Sequence, residues 1–108
     1  MVWVMAIGDI IGTVDELDFD LSGGMLPKII KIGAGRYAVV YSGYSNDGYV
    51  VTMPIAADGT IGAASDVLEI DPAQGRYLSI VHLDGTMYAI AYSGPNNNGI
   101  VITLDITA

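Results

Sequence analysis

The feature that most constrains this chain is an internal repeat with an offset of 51 residues. Residues 17–57 align with residues 68–108 without a gap, and 15 of the 41 aligned pairs are identical. Two stretches recur almost unchanged: Tyr37 to Gly43 as Tyr88 to Gly94, and Asn46 to Thr52 as Asn97 to Thr103. Because similar sequences adopt similar local structures, we expect the fold to consist of two like units.

The same offset extends to the start of the chain. Ala6, Gly8 and Ile10 align with Ala57, Gly59 and Ile61, so the first six residues correspond to the last residues of a unit. We therefore divide the chain into an N-terminal strand stub and two units: 1–6, 7–57 and 58–108.

Each unit contains four short runs of strand-forming residues. The runs are rich in Val, Ile and Tyr and are bounded by Gly, Asn, Asp or Pro, and no helical apolar period lasts long enough to compete. The predicted strands are 16–19, 28–32, 37–42 and 49–55, then 67–70, 77–83, 87–93 and 100–106. Turns at Asp84-Gly85, Asp47-Gly48 and Asn98-Gly99, with φ above zero at the glycines, would join consecutive strands into an antiparallel meander.

Two details favour stacked sheets. The third predicted strand is apolar at every position from Tyr37 to Tyr41, and again from Tyr88 to Tyr92, which indicates burial on both faces. The fourth strand of the first unit contains Pro54, which cannot donate to a ladder, so we expect this strand to form an outer edge.

In repeat length, strand count and turn placement, the units resemble blades of β-propellers over essentially the whole chain. They contain neither the Trp-Asp dipeptide of the WD40 class nor the kelch double glycine in both copies. The resemblance implies an all-β fold with two four-stranded antiparallel meander blades. Since propellers have about four to eight blades, it also implies a ring completed by homo-oligomerisation, a trimer first and a dimer or tetramer otherwise. A small β-sandwich or an open two-layer barrel is the alternative fold.

Composition excludes several partners. The net charge of −8 and the pI of about 4.1 oppose binding to nucleic acid. No apolar run approaches the roughly 20 residues of a membrane span, and the first basic residue is Lys28, so we expect neither a membrane segment nor a secretory signal. The chain has no cysteine, which excludes disulfides and thiolate metal sites.

Three acids alternate along the first predicted strand. Glu16, Asp18 and Asp20 would share one face, and a ring of such acids could hold Ca²⁺ through oxygen ligands. No Asp-x-Asp-x-Asp-Gly loop accompanies them, and His82 is the only histidine, so we predict no metal site and no cofactor. No nucleophile elbow or phosphate-binding loop is present either, and we predict that the protein is not an enzyme.

The loops before the two fourth strands are the candidate binding sites. They combine amides, a carboxylate and an aromatic ring, in residues Tyr44, Asn46, Asp47, Asn96 and Asn97. Such groups form turns, and they also bind sugars when an aromatic ring stacks on the apolar face of the ligand. We expect a non-enzymatic, self-assembling binding or scaffolding module for a protein partner, and the alternative is a lectin-like propeller that binds a glycan.

Overall fold

The computed structural model describes residues 7–108, and this part of the chain is all-β. Its strands are β1 (Met25–Gly33), β2 (Arg36–Ser42), β3 (Gly48–Pro54), β4 (Asp66–Asp71), β5 (Arg76–Asp84), β6 (Met87–Ser93) and β7 (Gly99–Asp105). Two 3-10 turns, Tyr44–Asn46 and Pro95–Asn97, are its only helical segments. No helix in residues 7–108 is long and apolar enough to cross a membrane. The strand pairing predicted for residues 1–6 and Trp3 lies outside the described residues.

The described strands form two antiparallel sheets. The first sheet has four strands in the order β1-β2-β3-β4, and the second has three in the order β5-β6-β7. The all-β class and the antiparallel meander are therefore confirmed. The expectation of four strands in each sheet is met only by the first, since the described part of the second sheet ends at β7.

Two strand predictions are wrong. Residues 16–19 do not form a strand, although their counterparts 67–70 lie within β4, because β4 pairs with β3 and residues 16–19 have no strand beside them in the described chain. The strand expected as an outer edge, β3, lies between β2 and β4. Pro54 is tolerated there because it is the last residue of β3, and the ladder with β4 ends at Thr52.

The backbone repeats with the same offset of 51 residues. The pair Ile29 and Val39 on β1 and β2 recurs as Ile80 and Ile90 on β5 and β6. An irregularity early in each first strand also recurs, with a positive φ of 52° at Leu26 and 55° at Tyr77. The tight turn between β5 and β6 comprises Gly85 and Thr86, one residue later than predicted. The two units thus share their register as well as their sequence.

The main core lies between the two sheets. Its buried members come from both: Ala38, Val40 and Val50 from the first sheet, and Leu78, Tyr88, Ile90, Tyr92 and Ile106 from the second unit. A second cluster covers the other face of the first sheet and consists of Val39, Tyr41, Val51 and Met53 with Leu17 and Phe19 against them. Because successive residues of a strand point to opposite faces, β2 is buried on both faces, as predicted.

β6 differs from β2 despite its similar sequence. Tyr88, Ile90 and Tyr92 are buried against the first sheet, but Ala91 is exposed on the opposite face. The prediction of two-sided burial therefore fails for β6 in the single chain, because no third sheet lies on its outer face in the described residues.

Candidate functional site

The two predicted binding loops have one conformation. In the first, Ser45 and Asn46 have φ values of 60° and 66°, and the Gly43 N–H donates to the Asp47 carbonyl at 2.8 Å. In the second, Asn96 and Asn97 both have φ of 58°, and Gly94 and Asn98 form the same hydrogen bond at 2.8 Å. Asparagine tolerates this left-handed region better than most residues. The asparagines therefore make the turns, and the glycines that follow begin β3 and β7.

The structure does not bring the five predicted site residues into one cluster. Tyr44 alone among them lines an open groove of about 590 Å³, and its side chain is 71% exposed. Asn46 acts through its backbone, since its carbonyl accepts the Gly75 N–H at 2.8 Å. Asn96 and Asn97 lie exposed in the corresponding loop of the second sheet. A role for these five residues in binding stays a prediction.

Aromatic rings form the floor of the groove beside Tyr44. The Phe19 ring lies edge-on to Tyr41 at 4.8 Å between centroids, and Tyr41 stacks on Tyr49 at 5.5 Å. Asp18 and Asp20 line the same groove. The groove thus combines aromatic rings with carboxylate side chains.

Carboxylates surround the start of β3. The Tyr49 hydroxyl donates to Glu69 at 2.8 Å, and this hydrogen bond is the main reason why the pKa of Tyr49 rises to about 12. Loss of solvation, then a hydrogen bond with Glu69 and the charges of Glu69 and Asp71, raise the pKa of Asp47. The pairing of β3 with β4 in the first sheet thus places like charges together here.

A set of hydrogen bonds holds the two sheets together. At the end of β4 in the first sheet, Asp71 accepts from the Tyr92 hydroxyl at 2.9 Å, and Tyr88 donates to the Ile32 carbonyl at 3.1 Å. The buried Ser42 hydroxyl donates to the carbonyl of Gly75, which precedes β5. We call these contacts, with the bond from Gly75 to the Asn46 carbonyl, the sheet junction.

Asp71 is held tightly at this junction. The Gln74 and Ala73 N–H groups both donate to its carboxylate, at 3.1 and 2.9 Å. The bond from Gln74, which outweighs the opposing effect of burial, together with those from Ala73 and Tyr92, holds the pKa of Asp71 below its ordinary value. The ionised carboxylate is therefore the form that the fold stabilises.

Asp20 repeats this arrangement at the other end of the chain. It accepts from the Tyr41 hydroxyl at 2.9 Å, and from the N–H groups of Ser22 and Gly23 at 2.9 and 3.3 Å. Burial raises the pKa of Asp20, but these three hydrogen bonds more than offset it, so the pKa lies below the ordinary value. Residues 15–20 therefore approach the first sheet as β4 approaches the second.

The sequence contained the signal for this pair. Asp20 and Asp71 are identical at the repeat offset, as are Tyr41 and Tyr92, and each pair is 21 residues apart. Sequence reasoning assigned the acids to a strand face and the tyrosines to packing. It did not connect the two.

The remaining chemical candidates are dispersed. His82 is exposed on β5, with its Nε2 atom 2.8 Å from the Gly85 carbonyl and its ring 4.8 Å from that of Tyr88. Within residues 7–108, no three His, Asp or Glu side chains are grouped so that they could hold a metal ion. Glu16 and Asp18 are exposed, and the other acid of that predicted trio bonds to Tyr41.

The second sheet differs most from the first in the exposure of its outer face, which is the face turned away from the main core. We call it the open face and define it by four exposed apolar residues, namely Val81, Leu83, Ala91 and Val101. Their counterparts in the first sheet face the main core: Ile30, Ile32, Val40 and Val50. Val50 is 5% exposed and Val101 is 70% exposed. The same surface that joins the two units within one chain is thus uncovered on the second unit.

No family model, no curated protein and no solved structure matches this chain. The fold and the repeated contacts are therefore the basis for a functional proposal.

Proposed function

We propose that this chain is a non-enzymatic β-propeller module that assembles with copies of itself into a closed ring, for binding or scaffolding. The observation that carries the proposal is the open face of the second sheet. Burial of a valine side chain contributes about 1.5–3 kcal/mol, and four apolar side chains in one patch therefore favour association strongly. Contiguous apolar patches of this kind mark interaction sites.

The partner surface is present on the same chain. In the second unit, the face that meets the first sheet carries Ile80, Ile90 and Ile102. The equivalent face of the first sheet carries Val39 and Val51, already grouped with Tyr41 and Met53, and an Ile29 side chain that is 59% exposed. Each copy thus carries a face of each kind. Leu17 and Phe19 already pack on the face of the first sheet, so that Val39 and Val51 are 5% and 1% exposed there, and docking of another copy requires Leu17 to move off it. Such complementary surfaces associate head to tail, and they form a ring when the rotation closes.

Two units are too few for a propeller, whose blades number about four to eight. A cyclic trimer with six blades is the assembly that we propose, and a dimer with four or a tetramer with eight are the other closures. The chain mass is 11.3 kDa, so native mass spectrometry distinguishes these states directly. We expect three chains per particle. A single folded chain at micromolar concentration would contradict self-assembly.

A lectin-like function is the second candidate, and the groove beside Tyr44 favours it. An exposed tyrosine ring next to Asp18 and the stacked Tyr41 and Tyr49 rings offers both a stacking surface and hydrogen-bond acceptors. A glycan array with the wild-type protein and the Tyr44→Ala variant tests this candidate. We expect binding that the variant loses, and absence of binding to any sugar would remove the lectin function.

A further inference from the structure

We infer that residues 15–20 of one copy form the fourth strand of the second sheet of another copy, where they pair antiparallel with β7. The inference rests on the proposed self-assembly and names the segment and the edge that perform it. It follows from three observations: the pairing of β3 with β4, the anchoring of Asp20, and the outer edge of β7, which has no strand beside it within residues 7–108.

The pairing inside the chain supplies the register. β4 lies on β3 with Val50 opposite Leu68, Val51 opposite Val67 and Thr52 opposite Asp66. Subtraction of 51 from the β4 residues gives residues 15–20, and addition of 51 to the β3 residues gives β7. The expected pairs between copies are Val101 with Leu17, Ile102 with Glu16, and Thr103 with Asp15.

The last two residues of the segment are already held as those of β4 are. Asp20 bonds to Tyr41 as Asp71 bonds to Tyr92, both at 2.9 Å. Phe19 packs on the first sheet where Ile70 packs on the second.

The earlier residues of the segment differ from β4. Leu17 packs on the second cluster, whereas Leu68 is 54% exposed, and the Asp15 carboxylate accepts from the Ile61 N–H at 2.9 Å. Pairing with β7 therefore requires residues 15–17 to leave these contacts, while Phe19 and Asp20 keep theirs.

The edge of β7 has space for a further strand beside Gly99. Gly48 of β3 is buried against Gly75, whereas Gly99 of β7 is exposed and its Cβ position meets no atom within 4 Å. The counterpart of Gly75 is Gly24, four residues after Asp20. In the assembly, Gly24 of the copy that supplies residues 15–20 would donate to the Asn97 carbonyl of the copy that supplies β7, as Gly75 donates to the Asn46 carbonyl within one chain.

At one position, charge favours the pairing between copies. Within the chain, loss of solvation, then a hydrogen bond with Glu69 and its charge, raise the pKa of Asp47. The counterpart of Glu69 is Asp18, and the counterpart of Asp47 is Asn98. An amide at this position removes the like-charge contact.

Because the chain has no cysteine, single-cysteine variants test the strand pairing cleanly. Leu17→Cys and Val101→Cys are prepared separately, mixed in urea under reducing conditions, refolded together and oxidised. We expect a covalent two-chain product in the mixture and none in either variant alone. Asp15→Cys with Thr103→Cys, both at exposed positions, is a second pair in case Leu17→Cys does not fold, and Val50→Cys with Leu68→Cys in one chain is the positive control.

The outcomes separate the two proposals. If Val101→Cys links to itself, two β7 edges pair with each other and the inference is wrong. If native mass spectrometry finds an oligomer but neither mixture forms a cross-link, self-assembly stands and the strand pairing fails. If the wild-type protein is a folded monomer, both proposals fail.

Discussion

The two sheets of this protein have closely similar sequences and different surroundings. β2 of the first sheet is buried on both faces and β3 has a strand on each side, whereas β6 is buried on one face and β7 has a single neighbour in the described chain. Since the equivalent residues of these strands are mostly identical or similar in character, the difference comes from the strands and sheets that lie next to them. Burial in a repeat protein is set by the adjoining unit, because each unit completes the sheet and covers the face of the one before it.

The largest effect is expected from a charge placed on the equivalent valines of the two sheets. Val50→Asp puts a carboxylate without a partner into the main core, at a cost of on the order of 4 kcal/mol or more, which approaches the whole stability of a small domain. We expect this variant to lose its cooperative unfolding transition, measured by circular dichroism in urea.

Val101→Asp alters the exposed member of the same pair. In a single chain the new charge is solvated, so we expect a folded protein whose assembly is lost, with the mass measured by light scattering. Val101→Thr is the matched control and should assemble, because it keeps the shape and β-propensity of valine. An unchanged oligomer in Val101→Asp would mean that the open face is not an interface.

The second comparison concerns two glycines. A side chain at Gly48 would approach the Gly75 Cα at 3.1 Å, whereas one at Gly99 meets nothing within 4 Å. We expect Gly48→Val to destabilise the chain by about 2–3 kcal/mol through overpacking. Gly99→Val should leave the chain folded and weaken its association with another copy. Equal loss of stability in both variants, measured by urea denaturation, would contradict the account of β7 as a strand with β6 as its single neighbour in residues 7–108.

These glycines also show where sequence reasoning stops. The turns were predicted with positive φ at Gly48 and Gly99, but the left-handed residues are Ser45 and Asn46 and their counterparts. The residue types identified the turn correctly. They did not indicate which residues of the loop have a positive φ. Asparagine also adopts the left-handed region, and the loop closes before the glycine is reached.

A moderate effect is expected from the hydrogen bonds of Asp20 and Asp71. Both carboxyls have a lowered pKa in the fold, so their ionised forms stabilise it above the ordinary carboxyl pKa of about 4, and this contribution is lost as the pH falls through the folded-state pKa. Tyr92→Phe should cost about 1–2 kcal/mol at pH 7. Asp71→Asn should flatten the fall in stability between about pH 5 and pH 3, measured by urea denaturation at each pH. A wild-type stability independent of pH in this range would contradict these contacts.

The smallest effect distinguishes the two loops. Ser45 and Asn96 occupy equivalent positions with φ near 60°, and asparagine tolerates this conformation better than serine does. We therefore expect Ser45→Gly to raise the free energy of unfolding by about 0.5–1 kcal/mol, and Asn96→Gly to raise it less. Both positions are exposed, so thermal denaturation measures the backbone effect directly. A larger gain at Asn96 would show that another contact controls the second loop.

The repeat predicted the class of fold and eight strands, of which the described chain contains seven, and it did not predict how these strands are divided between the two sheets. Residues 16–19 and 67–70 are similar at three of four positions and differ at Glu16 and Val67, but only the second segment forms a strand, because only it has β3 beside it. The alternation of residues along a strand indicates which of its faces is apolar. It does not indicate which other strand lies beside it in the sheet. The five loop residues were recognisable as turn formers, whereas the junction of Asp71 and Tyr92 required the three-dimensional arrangement.

Sedimentation equilibrium of the wild-type protein tests the central claim most directly, because it gives the mass of the folded species at several concentrations. If the open face of one copy is covered by the first sheet of the next, the protein at micromolar concentration sediments as a closed set of chains, three by our proposal, with no folded species of 11.3 kDa. A folded monomer of 11.3 kDa throughout the concentration range would contradict the claim.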